Sequence, residues 1–155
     1  MARVYISEEE FWWCAKVGRL RWRSSSEKGL NHASTYTRSY LERQWQETEG
    51  CVGELALCKY LGKPWPASVD TFHRLPDVYG GDVRATWRKD GCLVIRDNDP
   101  DDRRFALVTG SAPVVEIRGW LFAGDCKQDR WLRNPHGHRA SWFVPQEALN
   151  KFPGD

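Results

Sequence analysis

Asp77, Asp82 and Arg84 bracket a glycine pair in the run Leu75-Pro76-Asp77-Val78-Tyr79-Gly80-Gly81-Asp82-Val83-Arg84-Ala85-Thr86. In an extended strand, side chains two apart share a face. Asp82 and Arg84 are therefore presented together, while Val83 and Ala85 turn toward a core. Asp77, ahead of the glycine turn, can fold back toward Asp82. Two hard oxygen ligands beside a fixed positive charge suit Mg²⁺-assisted phosphodiester chemistry. The same residue types also suit a turn that uses Asp and Gly for backbone reasons, with Arg84 paired to Asp82 on the surface.

A second carboxylate stands apart from its surroundings. Cys51-Val52-Gly53-Glu54-Leu55-Ala56-Leu57-Cys58-Lys59-Tyr60-Leu61 reads as a helix that is apolar nearly all the way round, stopped by Gly62, Pro64 and Pro66. Such helices are buried, and Glu54 is the one carboxylate in the run. Buried, it requires a cation or hydrogen-bond donors; the competing reading turns it to solvent past a narrow apolar stripe. Gly53 costs ~1 kcal/mol against alanine in a helix, so its presence points to a close approach by a neighbour.

Glutamate on a buried helix, then Pro-Asp, then Asp-x-basic on a strand resembles the order of the PD-(D/E)XK nuclease-like superfamily, at Glu54, Pro76-Asp77 and Asp82-Val83-Arg84. More narrowly, the chain is similar to small phage-encoded proteins with a Gly-Glu-x-Ala helix and an Asp-Val-x-Gly-Gly-x-Val-Arg turn. Those also carry a Gly-Trp-Leu/Ile segment and a closing Phe-Val-Pro-Gln, here Gly119-Trp120-Leu121 and Phe143-Val144-Pro145-Gln146. The resemblance runs from Gly50 to Leu149. It implies an α/β domain with a restriction-endonuclease-like core and a catalytic set of Glu54, Asp77, Asp82 and Arg84. It also implies Mg²⁺ or Mn²⁺ held by Asp77, Asp82, the Val83 carbonyl and Glu54.

This chain departs from the superfamily pattern at two points. Arg84 stands where the superfamily has lysine. Arginine does not act as a base, although it can stabilise charge on a phosphorane. The spacing from Asp77 to Asp82 is also shorter than usual. The expectation is a nuclease-fold protein acting on nucleic acid, with metal-dependent hydrolysis weak or lost. The alternative is a non-enzymatic accessory or counter-defence module that binds nucleic acid or protein.

The elements that must position these residues fit one compact domain. The chain has 155 residues, 41% of them hydrophobic, and a formal net charge of +2, so no global field demands a nucleic-acid partner. Residues 1–34 read as an N-terminal helix and connector, and 35–155 as the α/β core. Helices are expected over 7–23 and 36–61, with a break at Gly50. Strands are expected over 69–73, 82–87, 92–96, 105–109, 114–118 and 140–144, and short helices over 124–133 and 146–151. A mixed sheet centred on 82–118 then packs on the Glu54 helix, with the 124–133 helix on its other face. Asp97-Asn98-Asp99-Pro100-Asp101-Asp102 lacks the glycine and closing glutamate of a calcium-binding EF-hand and reads as a solvated turn.

Two composition features suggest partners. Lys127, Arg130, Arg133 and Arg139, interleaved with Trp131, His136, His138 and Trp142, suit phosphate contact with base stacking; a solvated basic face over core tryptophans is the plainer reading. Nine tryptophans are present, and Phe11-Trp12-Trp13 on the first helix is the candidate protein-binding surface. That helix follows Ser7-Glu8-Glu9-Glu10, a capping box. Five cysteines without Cys-x-x-Cys spacing and without a leader suggest free thiols in a bacterial host's reducing cytoplasm. Cys51, Cys58 and Cys92 read as core residues, with Cys92 in a buried strand, and Cys126 with His136 and His138 is not a zinc pattern. No apolar run is long enough for a bilayer, so no membrane partner is expected.

Overall fold

The first long helix, α1 (Glu8–Glu27), starts where the sequence places its cap. In the computed structural model, which describes residues 2–27, 39–69, 81–135, 137 and 139–154, Ser7 N–H donates to Glu10 Oε2 at 2.8 Å and Glu10 N–H to Ser7 Oγ at 3.1 Å. Helix α1 outlasts its expected end at residue 23. Ser25 is buried, and the exposed Arg23–Glu27 pair at 3.2 Å spans the last turn.

Helix α2 (Tyr40–Tyr60) begins later than residue 36, because Ser39 and Glu42 form a second capping box. It runs unbroken through Gly50, so the expected break there is corrected. Tertiary packing of residues 51–58, all of them buried, outweighs the ~1 kcal/mol propensity cost of one glycine.

Among the described residues, seven strands follow two pairing schemes. The strands β1 (Ala2–Tyr5), β2 (Gly81–Thr86), β4 (Arg104–Ser111) and β5 (Val114–Phe122) form a mixed sheet in the order β1-β5-β4-β2. Strand β2 runs parallel to β4, and the other pairs are antiparallel. The strands β3 (Leu93–Ile95), β7 (Ser141–Val144) and β6 (Leu132–Arg133) form a small antiparallel sheet with β7 central. The chain is thus a mixed α/β domain. Strand β1 was not foreseen, and residues 70–73 of one expected strand lie outside the described residues.

Each face of the mixed sheet has its own core. Helices α1 and α2 pack on Val83, Ala106, Val108, Val115 and Ile117. On the opposite face, Phe105, Leu107 and Leu121 meet Leu93, Ile95 and Val144 of the small sheet. That layer replaces the expected 124–133 helix. Only α3 (Ala123–Cys126) and a 3-10 turn at Asp129–Trp131 are helical there, because Trp131 packs into the second core and the chain then pairs with β7. Likewise, residues 146–151 give only a 3-10 turn at Gln146–Ala148. Asn150 exchanges two 3.0 Å backbone bonds with Trp120, which requires extended backbone.

A bulge decides which residues of β5 enter which core. Leu107 pairs with Gly119 and Val108 with Ile117, leaving Arg118 without an opposite residue. Val115 and Ile117 face the helices; after the bulge the parity reverses, so Trp120 packs on the helical side and Leu121 on the small sheet. Gly119 adopts φ +145°, and a Cβ there would lie 2.5 Å from the Asn150 carbonyl oxygen, so only glycine fits.

Helix α2 approaches β2 through Gly53, whose added Cβ would come within 2.9 Å of Ala85 Cβ and 3.2 Å of Val83 Cγ1. Gly50, by contrast, has nothing within 4 Å of that position. Overpacking costs about 1–3 kcal/mol, more than the ~1 kcal/mol helix-propensity gain. Gly53→Ala is therefore expected to lower the melting temperature and Gly50→Ala to raise it, as read by thermal denaturation followed by circular dichroism.

Candidate functional site

Glu54 is buried, 4% exposed, and fully engaged. Arg21 of α1 donates from Nη1 to Oε1 at 2.6 Å and from Nη2 to Oε2 at 2.9 Å. Trp65 Nε1–H donates to Oε2 at 3.0 Å, and Arg21 Nε also donates to the Ser68 carbonyl at 2.7 Å. A bidentate guanidinium is the strongest neutralising partner a side chain supplies. The desolvated setting expected for Glu54 is present, and an arginine and a tryptophan meet it.

The thiols around this pair are inert. Burial, then the Glu54 charge, pushes Cys14 up to about 12 and Cys58 up to about 11. Burial raises Cys51 as well, and Cys126 is pushed up to about 12 by burial and then Asp125. Protonated thiols are poor nucleophiles. All five cysteines are free. Cys92 is partly exposed and precedes β3, so its placement within a buried strand is corrected.

Asp82 and Arg84 do share a face of β2, opposite to Val83, but they have different partners. Asp82, 7% exposed, accepts from Arg103 Nη1 at 3.3 Å. It lines a cavity of about 290 Å³ with Arg104, Trp120 and Phe152, where Arg104 lies 5.2 Å from the Trp120 ring centre. Arg84 donates twice to Asp99, at 2.9 and 2.8 Å, and once to the Val94 carbonyl at 3.3 Å, above the Phe105 ring.

The acidic loop is a turn exposed at five of its six residues, with Asp99 as the buried exception. Asp99 is 7% exposed and also receives the Arg96 N–H at 2.8 Å. Lys127 Nζ binds the Asp97 carbonyl at 3.2 Å, the Asp99 carbonyl at 2.9 Å and Asp101 Oδ1 at 2.6 Å. Arg139 pairs with Asp97 and Asn98. Two of the four basic residues expected to hold nucleic acid thus fasten this loop. Arg130 lies over the Trp131 ring and Arg133 donates to the Leu132 carbonyl at 2.8 Å; both are exposed.

The structure does not bring the described members of the expected catalytic set into one cluster. Glu54 sits on the helix that covers the Val83 face of β2, and its side chain bonds toward α1 and Trp65. Asp82 and Arg84 alternate to the other face, Val83 pairs with Ala106 in the sheet, and Asp77 lies outside the described residues. Both Glu54 oxygens are taken by donors. Among the described residues no group of three or more His, Cys, Asp or Glu side chains is placed to hold a metal ion.

A different feature stands out on the helical layer. Of the three aromatics expected to form a partner surface, Trp13 packs edge-on against Trp65 at 4.8 Å and Phe11 edge-on against Trp12 at 5.3 Å, and both Trp12 and Trp13 remain exposed. Trp12 joins Phe11, Leu41, Trp45 and Glu49 around an apolar cavity of about 400 Å³ floored by the sheet. The α2 contribution was missed, although Leu41, Trp45, Glu49 and Gly53 recur every four residues, the spacing of one helix face. Burial raises the Glu49 pKa, against hydrogen bonding from the Trp45 side chain and the Trp87 backbone. Its Oε1 has no hydrogen-bond partner among the described residues.

No family model matches the chain, and no curated protein or solved structure matches it either.

Two outcomes follow from these carboxylates. Removing one member of a buried ion pair costs about 3–5 kcal/mol, so Glu54→Ala should destabilise by that order in urea unfolding. The apolar double variant Arg21→Met with Glu54→Leu should lose less than the sum of the single changes. For Glu49 the folded-state pKa is raised, so folding binds a proton and the stability contribution is lost as pH rises through that pKa. Glu49→Gln should therefore raise the melting temperature at pH 8, and the gain should vanish near pH 4.

Proposed function

We propose that this chain is a non-enzymatic accessory module that binds a protein partner, with phosphodiester hydrolysis lost. The observation that carries this reading is the aromatic and apolar rim on α1 and α2. Trp12, Tyr40, Leu41 and Trp45 are each 58–78% exposed, and three of them border one apolar cavity. Exposed tryptophans clustered around a recess are what binding hot spots are made of. The described groups that would do chemistry are already paired. Glu54 is bonded to Arg21 and Trp65, Arg84 to Asp99, and Asp82 to Arg103. Arg84 cannot accept a proton from water in any case.

The test is a site-specific photocrosslinker at position 12, used alongside nuclease assays on single- and double-stranded DNA and RNA. The expected result is a crosslink to a protein that is lost in Trp45→Ser, with no cleavage by wild type or Arg84→Lys. Millimolar Mg²⁺ or Mn²⁺ should leave the melting temperature unchanged, since a ligand that binds the folded state raises it. Cleavage that depends on metal and on Asp82 would overturn the proposal. So would tight nucleic-acid binding that falls steeply with salt and is lost in Arg130→Ala with Arg133→Ala.

A further inference from the structure

The cavity between α1, α2 and the sheet combines two properties that select a particular guest. Its walls include the rings of Phe11, Trp12 and Trp45, whose faces carry negative electrostatic potential. Among its lining residues is one carboxylate, Glu49, with an oxygen that has no hydrogen-bond partner and no ion-pair partner among the described residues. The other lining residues are small or aliphatic, such as Ala15, Ala85 and Ala112, or carry only neutral polar groups, such as Gln44 and Thr48.

A purely apolar guest would leave the open oxygen of that carboxylate desolvated beside it, with the Trp45 and Trp87 hydrogen bonds as its sole offset. An anionic guest would meet the carboxylate repulsively. A guest with an alkyl stem and a positive end satisfies all of these groups together. The stem lies against the apolar wall, and the cation faces the rings and the carboxylate.

We propose that this cavity is a recognition site for an alkylammonium group, delivered as a lysine side chain of the protein partner. The inference rests on the partner-binding reading only for the source of the amine; the selectivity of the cavity stands on Glu49 and the rings. Neutral analogues of the same shape should bind weakly, because they keep the van der Waals contact and lose the charge.

Nα-acetyl-lysine methylamide and its norleucine counterpart make the comparison with one probe pair. Both would be titrated into the full chain while the indole N–H resonances of Trp12 and Trp45 are followed by two-dimensional NMR. The lysine probe should bind at least ~5-fold more tightly than the norleucine probe, within the range cation–π contact supports. Glu49→Gln should remove that preference while leaving norleucine binding unchanged, and Trp45→Leu, at an exposed position, should weaken the lysine probe.

Equal affinities for the two probes would overturn the proposal, as would a lysine preference that survives Glu49→Gln, or the absence of any shift at both indoles. Binding of the lysine probe in a protein that crosslinks to no partner would keep the cavity's selectivity and reject the partner reading. A crosslinked partner that saturating lysine probe does not displace would do the reverse.

Discussion

Two charges taken out of water hold the helical layer in place. The Arg21 guanidinium and the Glu54 carboxylate are 33 residues apart in the chain and meet through two parallel bonds. Neither charge tolerates the interior without the other, so α1 must lie where its guanidinium reaches α2. The same arginine holds the Ser68 carbonyl, and the same glutamate holds Trp65, so the segment after α2 is drawn into the arrangement. Close backbone contact becomes possible at that spacing. A Cβ on Gly18 of α1 would lie 2.9 Å from the Glu47 and Thr48 backbone. At the far end, Lys59 binds Glu10 through both carboxylate oxygens, at 2.9 and 2.8 Å. Residues of both clamped helices, Phe11 and Trp12 of α1 and Leu41 and Trp45 of α2, line the aromatic cavity.

The local half of this design was legible in the residues. The all-round apolar character of residues 51–58 announced a buried helix, and a lone glutamate inside it announced a partner. Strand alternation put Asp82 and Arg84 together on one face. What the residues could not announce was which opposite charge each would find, since Arg84 reaches 15 residues along the chain to Asp99 and Asp82 reaches 21 to Arg103. The bulge at Arg118 was equally hidden, because the strand pattern of β5 reads as alternation on either side of it. Strand β1 was too short to show a period, and its pairing depends on an edge supplied by residues 114–117. The Asp97–Asp102 segment had the composition of a solvated turn, yet its central carboxylate is buried because three separate cations converge on the loop.

The resemblance to the nuclease-like superfamily rests on the order of residue types, and the described carboxylates of that order, Glu54 and Asp82, each have a guanidinium partner. A carboxylate in a low-dielectric setting needs compensation, whether from a divalent ion or a guanidinium. In this chain the guanidinium fills that need at Glu54, at Asp82 and at Asp99. An arginine fork satisfies two oxygens with directional bonds and leaves no open coordination position for water. The identical sequence pattern can thus describe a reactive centre or a rigid joint, and the partner of each carboxylate decides between them.

The Lys127 ammonium gives the acidic loop a counter-ion that travels with the chain. Three oxygens converge on it, much as oxygens converge on a metal in calcium-binding loops. A dissolved ion occupies such a site only as its concentration allows, whereas a tethered amine is present at an effective concentration set by its linkage. The loop is for that reason held by a tethered cation, and its exposed ion pairs weaken with salt. Part of its dependence is transferred to a single nitrogen. Acylating that amine would remove the charge on which three oxygens converge and leave Arg84 and Arg139 as the cations holding the loop, which makes one primary amine a point at which the loop could be loosened.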